Sequence, residues 1–168
     1  MKRNTFGIIV LLLALVTQGL GCYSFTGASI PSHIHTIAIP PVDDLSSFGQ
    51  SDVRQSLTNF LVEKFTREGS LQVAQRSNAD ALLEVTITRI TDEIVGVQAG
   101  GVPSSKRVTV FVEATYRDQK KQKTFWQRQF QQSGDYAIAE NITGEKQALQ
   151  SAVEKLAEEL MLAVISNW

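Results

Sequence analysis

RVTVFVEATYRDQKKQKTFWQRQFQQ, residues 107–132, is the stretch that decides the architecture. Val108, Val110, Val112, Ala114 and Tyr116 alternate with Thr109, Phe111, Glu113 and Thr115. A period of two puts each set on its own side of a strand, so a half-buried strand is expected here. RDQKKQK, residues 117–123, is too charged to bury and reads as a hairpin tip. TFWQRQFQQ, residues 124–132, is the returning strand.

Upstream, Leu83, Val85 and Ile87 alternate with Glu84, Thr86 and Thr88, which predicts a third strand with one buried and one wet side. Its phase breaks at Arg89-Ile90, the mark of a bulge or bend. GVQAGGVPSS, residues 96–105, reads as a loop that neither helix nor strand would tolerate. Shorter strands are expected over residues 36–40 (TIAIP), stopped by Pro40-Pro41, and over residues 71–74, with a polar turn at 76–78. A loop rich in Asp, Ser and Gly follows Pro41.

Two helices complete the pattern. Val53, Leu57, Phe60, Leu61 and Phe65 share one helical face, with Ser51 or Asp52 as the cap and Gly69 as the left-handed stop. Leu149, Ala152, Val153, Leu156, Leu160 and Val164 line a second, with Thr143 as its cap and Glu145 in its first turn. Asn141-Ile142-Thr143 also fits a glycosylation sequon, but reads here as the marker of that cap. One strong apolar stripe per helix suits burial against one side of a sheet. The expected fold is α/β: a two-layer sandwich, its sheet mixed but mostly antiparallel, with both helices packed on one face.

The N-terminus has a different character. MKRNT is basic, FGIIVLLLALV is an unbroken apolar run over residues 6–16, and small residues follow up to Cys22. That order describes a secretory signal peptide, and the run is shorter than the roughly 20 residues a spanning helix needs. Cys22 is the single cysteine, so no internal disulfide can form. On its own it could be a core residue, a nucleophile or a point of attachment. Leu20-Gly21-Cys22 resembles the lipobox of bacterial lipoproteins, although Gly19 stands where leucine is most common. The resemblance implies a covalent diacylglycerol and an N-acyl chain on Cys22, and Tyr23 after it resembles an outer-membrane address. The alternative is an ordinary signal peptide cut near Gly21, leaving a free thiol. The domain boundaries expected are a signal peptide at 1–21, a lipidated tether at 22–34 and one domain at 35–168.

Removing residues 1–21 takes the 16 basic residues to 14 against 17 acidic ones, net −3 over 147 residues. That length supports one real core, and the charge argues against nucleic acid as a partner. No catalytic site assembles from the sequence. His33 and His35 stand two apart without further soft ligands, and read as an exposed pair rather than a metal site. Gly100-Gly101 lacks the lysine and the helix of a phosphate loop. No nucleophile elbow is present, and Glu158-Glu159 reads as a solvated helix surface. Neither a cofactor nor an enzymatic activity is expected. Lys106, Arg107, Arg117, Lys120, Lys121, Lys123 and Arg128 gather along the hairpin, either as a solvated turn or as a patch for lipid phosphates. Arg128 lies between Trp126 and Phe130 on one side of its strand.

CYSFTGASIP, HTIAIPP, the helix DVRQSLTNFLVEKF, NADALLEVTITRI, RVTVFVEATYRD and a closing helix ending in tryptophan together resemble the LptE family of lipopolysaccharide-assembly lipoproteins. The resemblance implies an outer-membrane lipoprotein, held on the periplasmic side, that supports assembly of an LptD-like β-barrel, plugs its lumen and assists lipopolysaccharide delivery to the outer leaflet. Cys22 carries over as the lipidated residue. Lys106, Arg107 and Arg128 are candidate lipopolysaccharide contacts from local chemistry alone, and the 96–105 loop is a candidate barrel contact. A rival reading comes from IAIPPVDD and SNADALLEVTI, which are similar to LpoB-like lipoproteins that regulate peptidoglycan synthases. The long hairpin and short tether favour the first.

Overall fold

The computed structural model describes residues 30–48 and 52–166. The expected signal peptide, Cys22, Tyr23, the Ser51 cap and the closing Trp168 lie outside the described residues. The elements run β1 (Thr36–Ala38), β2 (Asp43–Asp44), α1 (Asp52–Glu68), β3 (Gln72–Val73), β4 (Ala81–Val97), β5 (Pro103–Asp118), β6 (Lys123–Ala137) and α2 (Asn141–Ser166). Single 3-10 turns at Arg76–Asn78 and Ile138–Glu140 precede β4 and α2.

β4, β5 and β6 form an antiparallel meander, with Val110 paired to Ile90 on one side and Gln132 on the other. β1 and β2 run parallel to β4 on its other edge, and β3 runs parallel to β1. The strand order is therefore β3-β1-β4-β5-β6, with β2 joined to β4. This is the mixed, mostly antiparallel sheet that the alternating runs require.

Val108, Val110, Val112, Ala114 and Tyr116 are all buried beneath the helices, as their period demands. α1 contributes Val53, Leu57, Leu61 and Phe65, four residues at i, i+4 spacing on one stripe. α2 contributes Leu149, Ala152, Val153, Leu156, Ala157, Leu160 and Val164. Each fully buried Leu or Phe contributes about 1.5–3 kcal/mol, and Leu57, Leu61, Phe65, Leu156 and Leu160 all reach 0% exposure. Gly69 stops α1 at φ +79°, its N–H donating to the Phe65 carbonyl at 3.1 Å. Phe60 sits half-buried at the margin of the stripe.

α2 lies close over β6 because Gly134 lets it. A β-carbon at Gly134 would stand 2.3 Å from the Ala148 carbonyl oxygen and 2.8 Å from its Cα. Any side chain there would push the helix backbone off the sheet. The bulge expected at Arg89-Ile90 is present, with the register shifting between Ile87 and Arg89.

Several boundaries differ from expectation. The 96–105 segment is not one loop: β4 continues to Val97 and β5 begins at Pro103, leaving a tight turn with Gly100 and Gly101 at positive φ. Gly96 survives inside the strand opposite Ser105, at a second irregularity. β6 extends five residues past Gln132, where Ser133, Gly134 and Asp135 hide the pattern. β1 ends at Ala38, and Asp43–Asp44 forms a short strand within the expected loop. Thr143 lies inside the first turn of α2, which begins at Asn141, so it is not the cap.

Candidate functional site

The meander fixes two opposite ends. Ala81 at the start of β4 pairs with Asp118 at the end of β5, while Val97 pairs with Pro103. The chain enters the domain at the first end, beside the β5–β6 turn, and the β4–β5 turn forms the other. At about 3.3 Å per residue, the 17 residues of β4 separate the two by roughly 50 Å.

The entry end is clasped by buried acids. Asp80 and Asp118 are the buried charged residues among those described, Asp118 at 1% exposure. Asp80 Oδ2 accepts the backbone N–H groups of His35 at 2.8 Å and Thr36 at 3.1 Å, and Thr36 Oγ1 accepts the Asp80 N–H at 2.9 Å. Lys120 Nζ reaches Asp80 Oδ1 at 2.7 Å. His33 Nε2 lies 2.6 Å from Asp118 Oδ2, and Asp118 Oδ1 accepts the Lys121 N–H at 2.9 Å. His33 is therefore a half-buried partner of Asp118 rather than one of an exposed pair, while the His35 side chain is exposed.

The Lys120 hydrogen bond, followed by the His35 N–H, holds the Asp80 carboxyl well below the usual range. Burial pushes Asp118 up, but the bonds from His33 and Lys121 outweigh it and the net direction is down. A depressed folded-state pKa stabilises above the unfolded value of about 3.9, and that contribution is lost as pH falls through the folded value. The contribution of both carboxylates is thus present at neutral pH and is lost only as pH falls below the usual carboxylate range. Burial also pushes the Tyr116 phenol up to about 12, with Asp118 adding to it.

The far end is apolar at its tip and charged at its base. From Ile94 to Ser105 no residue is charged, and Ile94, Val95, Val97 and Val102 are exposed. Below them, Lys106 and Arg107 point to opposite sides of β5. Lys106 Nζ reaches Asp92 Oδ2 at 2.6 Å, where the Tyr136 hydroxyl also donates at 3.0 Å. The Asp92 hydrogen bond holds the Lys106 ammonium above its usual pKa. Arg107 makes a two-pronged contact with Asp135 at 2.6 and 2.8 Å, which lowers the Asp135 carboxyl.

The expected basic cluster is thus divided. Lys106 and Arg107 stand at the tip end. Arg117, paired with Glu84 beside Arg76, and Lys120 stand at the entry end. Arg128 pairs with Ala114 midway along the sheet. It is exposed, 5.7 Å from the Trp126 ring, and has no carboxylate partner among the described residues. Trp126 packs against Tyr116 and Phe130 at ring separations of 5.8 Å, so the aromatic row is core margin with a cation beside it.

The sheet side away from the helices is lined by Thr86, Thr109, Thr115, Gln127, Gln129, Gln131 and Ser133. At its middle the Arg89 guanidinium covers the Phe111 ring at 4.2 Å, within a cleft of about 290 Å³. Among the described residues no group of His, Cys, Asp and Glu is arranged to hold a metal, and no helix is long and apolar enough to cross a membrane. Sequence reading missed Asp80, Asp92, Asp118 and Tyr136. The available signal was an acid directly flanking an apolar strand, at Asp80 before β4 and Asp118 after Tyr116.

A family model described as lipopolysaccharide-assembly LptE matches residues 34–164. No curated protein matches the chain in sequence. Among solved structures, protein XCC0632 of Xanthomonas campestris is similar at 14% identity, covering 83% of this chain and 91% of its own, with a TM-score of 0.59. PelC of Paraburkholderia phytofirmans, crystallised as a dodecamer, is 14% identical over 83% of this chain and 95% of its own, TM-score 0.53. Rare lipoprotein B of Shewanella oneidensis is 14% identical over 75% of this chain and 92% of its own, TM-score 0.52. At these identities the structures establish a shared fold, and the comparisons lend no support to the synthase-regulator reading.

Proposed function

The chain belongs to the LptE family of lipopolysaccharide-assembly proteins, and we propose that it acts as the lumenal plug and assembly partner of an LptD-like outer-membrane β-barrel. The observation that carries this is the family match across the whole folded domain, residues 34–164. The family works by binding and assembly, not by catalysis.

In this reading Cys22 carries the diacylglycerol and the N-acyl chain, holding the protein at the periplasmic side of the outer membrane. Each buried methylene contributes about 0.8 kcal/mol, and more than one chain makes the anchor stable. The 12 residues from Cys22 to His33 span at most roughly 40 Å, so the clasped entry end stays near the anchor. The body then extends about 50 Å, more than the roughly 30 Å of a hydrocarbon core. A domain of that length, standing in a barrel, carries the Ile94–Val102 tip toward the outer leaflet. The neutral Thr and Gln rows of the open sheet side suit a polar lumen.

Lipopolysaccharide contact is assigned to Lys106, Arg107 and Arg128. Lys106 and Arg107 flank the apolar tip, where phosphates and acyl chains would be met together, and Arg128 is available without breaking an ion pair. Lys106→Glu with Arg107→Glu should weaken binding of purified lipopolysaccharide about tenfold at low salt, with the difference shrinking as salt rises. Unchanged affinity at low salt would remove both residues from the contact.

A further inference from the structure

The bulge in β4 decides which side of the sheet Arg89 occupies. Ile87 is buried beneath the helices, and a period of two would send Arg89 to that side as well. The register shift between Ile87 and Arg89 turns Arg89 over, to stand opposite Phe111 on the open side, and returns Ile90 to the core. Thr88 Oγ1 donates to the Phe111 carbonyl at 3.2 Å and holds the extra residue in place. Bulges commonly re-aim a side chain in this way.

Arg89 is exposed, and its guanidinium lies 4.2 Å from the centre of the Phe111 ring. Stacking on the ring fixes the group and leaves its N–H edge free. Thr88, Gln129 and Gln131 line the cleft of about 290 Å³ around it. Arg107 and Arg117, the other basic residues of β4 and β5 on this side, are held by Asp135 and Glu84. Arg89 has no carboxylate partner among the described residues. Glu113, two residues from Phe111 on the same side, instead accepts Gln127 Nε2 at 2.8 Å.

We propose that Arg89 receives a carboxylate side chain from the inner wall of the barrel, so that the open sheet side bears on that wall. This rests on the plug reading, in which the domain stands in a polar lumen. A guanidinium offers two parallel N–H donors, the fork that a carboxylate matches. In a field of neutral threonines and glutamines, one uncompensated positive charge is complementary to one acid. A lipid phosphate fits less well. Arg89 lies eight residues from Val97, about 26 Å along the strand, whereas the cations beside the apolar tip are Lys106 and Arg107.

The test is recovery of the barrel with the intact lipoprotein from gently solubilised outer membranes. Arg89→Glu should lower the amount of barrel recovered several-fold while its Tm matches the parent's, and Arg89→Gln should lower it less. A photo-reactive benzoylphenylalanine in place of Gln129 should attach to a barrel peptide that contains Asp or Glu. Changing that acid to Arg in the barrel should then restore recovery of the Arg89→Glu variant. Full recovery of the barrel with Arg89→Glu overturns the proposal and leaves the plug reading standing. So does an Arg89→Gln variant that keeps the barrel but loses affinity for purified lipopolysaccharide. A parent that recovers no barrel would defeat the plug reading, and this proposal with it.

Discussion

A Gly134→Val variant is expected to lose about 3 kcal/mol of stability, a fall in Tm on the order of 10 °C for a domain of this size. In open space, adding a side chain to a strand glycine is favourable, by roughly 0.5–1 kcal/mol on the scale for Gly against Ala. Here the sign reverses because even a β-carbon would stand 2.3 Å from the Ala148 carbonyl oxygen, and that oxygen belongs to helix backbone that cannot rotate away. The added bulk must lift α2 from β6 and disturb Leu149 and Ala152 behind it. Ser133→Val, one residue earlier and on the opposite side of the sheet, is the control and should change stability by less than about 1 kcal/mol. Thermal unfolding of the two variants beside the parent decides the point. Equal midpoints for all three would mean that α2 does not lie this close to the sheet.

Cys22→Ala should have the largest effect on location and almost none on the fold. The residue lies outside the described domain, so the variant's Tm should match the parent's within error. Three acyl chains contribute far more than the single chain that gives only marginal, reversible binding. Chains not engaged by a partner should therefore move from the membrane fraction to the soluble fraction nearly completely. Intact-mass measurement of the mature parent should show a cysteine N-terminus carrying the acyl groups. A mature parent cut near Gly21 with a free thiol would return Cys22 to the ordinary signal-peptide alternative.

How far the sequence could be read depended on which physical signal carried each element. β5 was legible from Val108 to Tyr116, since a strand buried on one side must alternate, but its start at Pro103 was hidden by the glycines and serines before it. α1 and α2 were legible from their stripes, because every buried position follows the helical period. β6 was cut short at Gln132 because Ser133, Gly134 and Asp135 carry no apolar alternation. Gly134 is small for the sake of the helix above it, a tertiary demand that local pattern does not record. The glycines of the 96–105 segment read as loop, yet Gly96 and Pro103 sit in strand, on either side of a turn whose geometry only Gly100 and Gly101 reveal.

The candidate site was less legible than the fold. Lys106, Arg107 and Arg128 follow from the local chemistry of the hairpin, but alternation sends Lys106 and Arg107 to opposite sides of one strand. Their acids, Asp92 and Asp135, are 14 and 28 residues away, and strand register, which no short-range pattern shows, is what joins them. The Asp80–Asp118 clasp depends on contacts across 44 and 85 residues and was invisible for the same reason. Exposed pairs such as Arg107–Asp135 contribute little to stability, so their arrangement is available for ligand contact without loss of the fold.

The most direct test of the central claim is to purify the native lipoprotein from gently solubilised outer membranes and identify what accompanies it in equal amount. A lumenal plug should bring down a single large β-barrel protein, retained through a salt wash and recovered as a one-to-one complex. Recovery of a peptidoglycan synthase in that position, or of this chain with no stoichiometric partner, would contradict it.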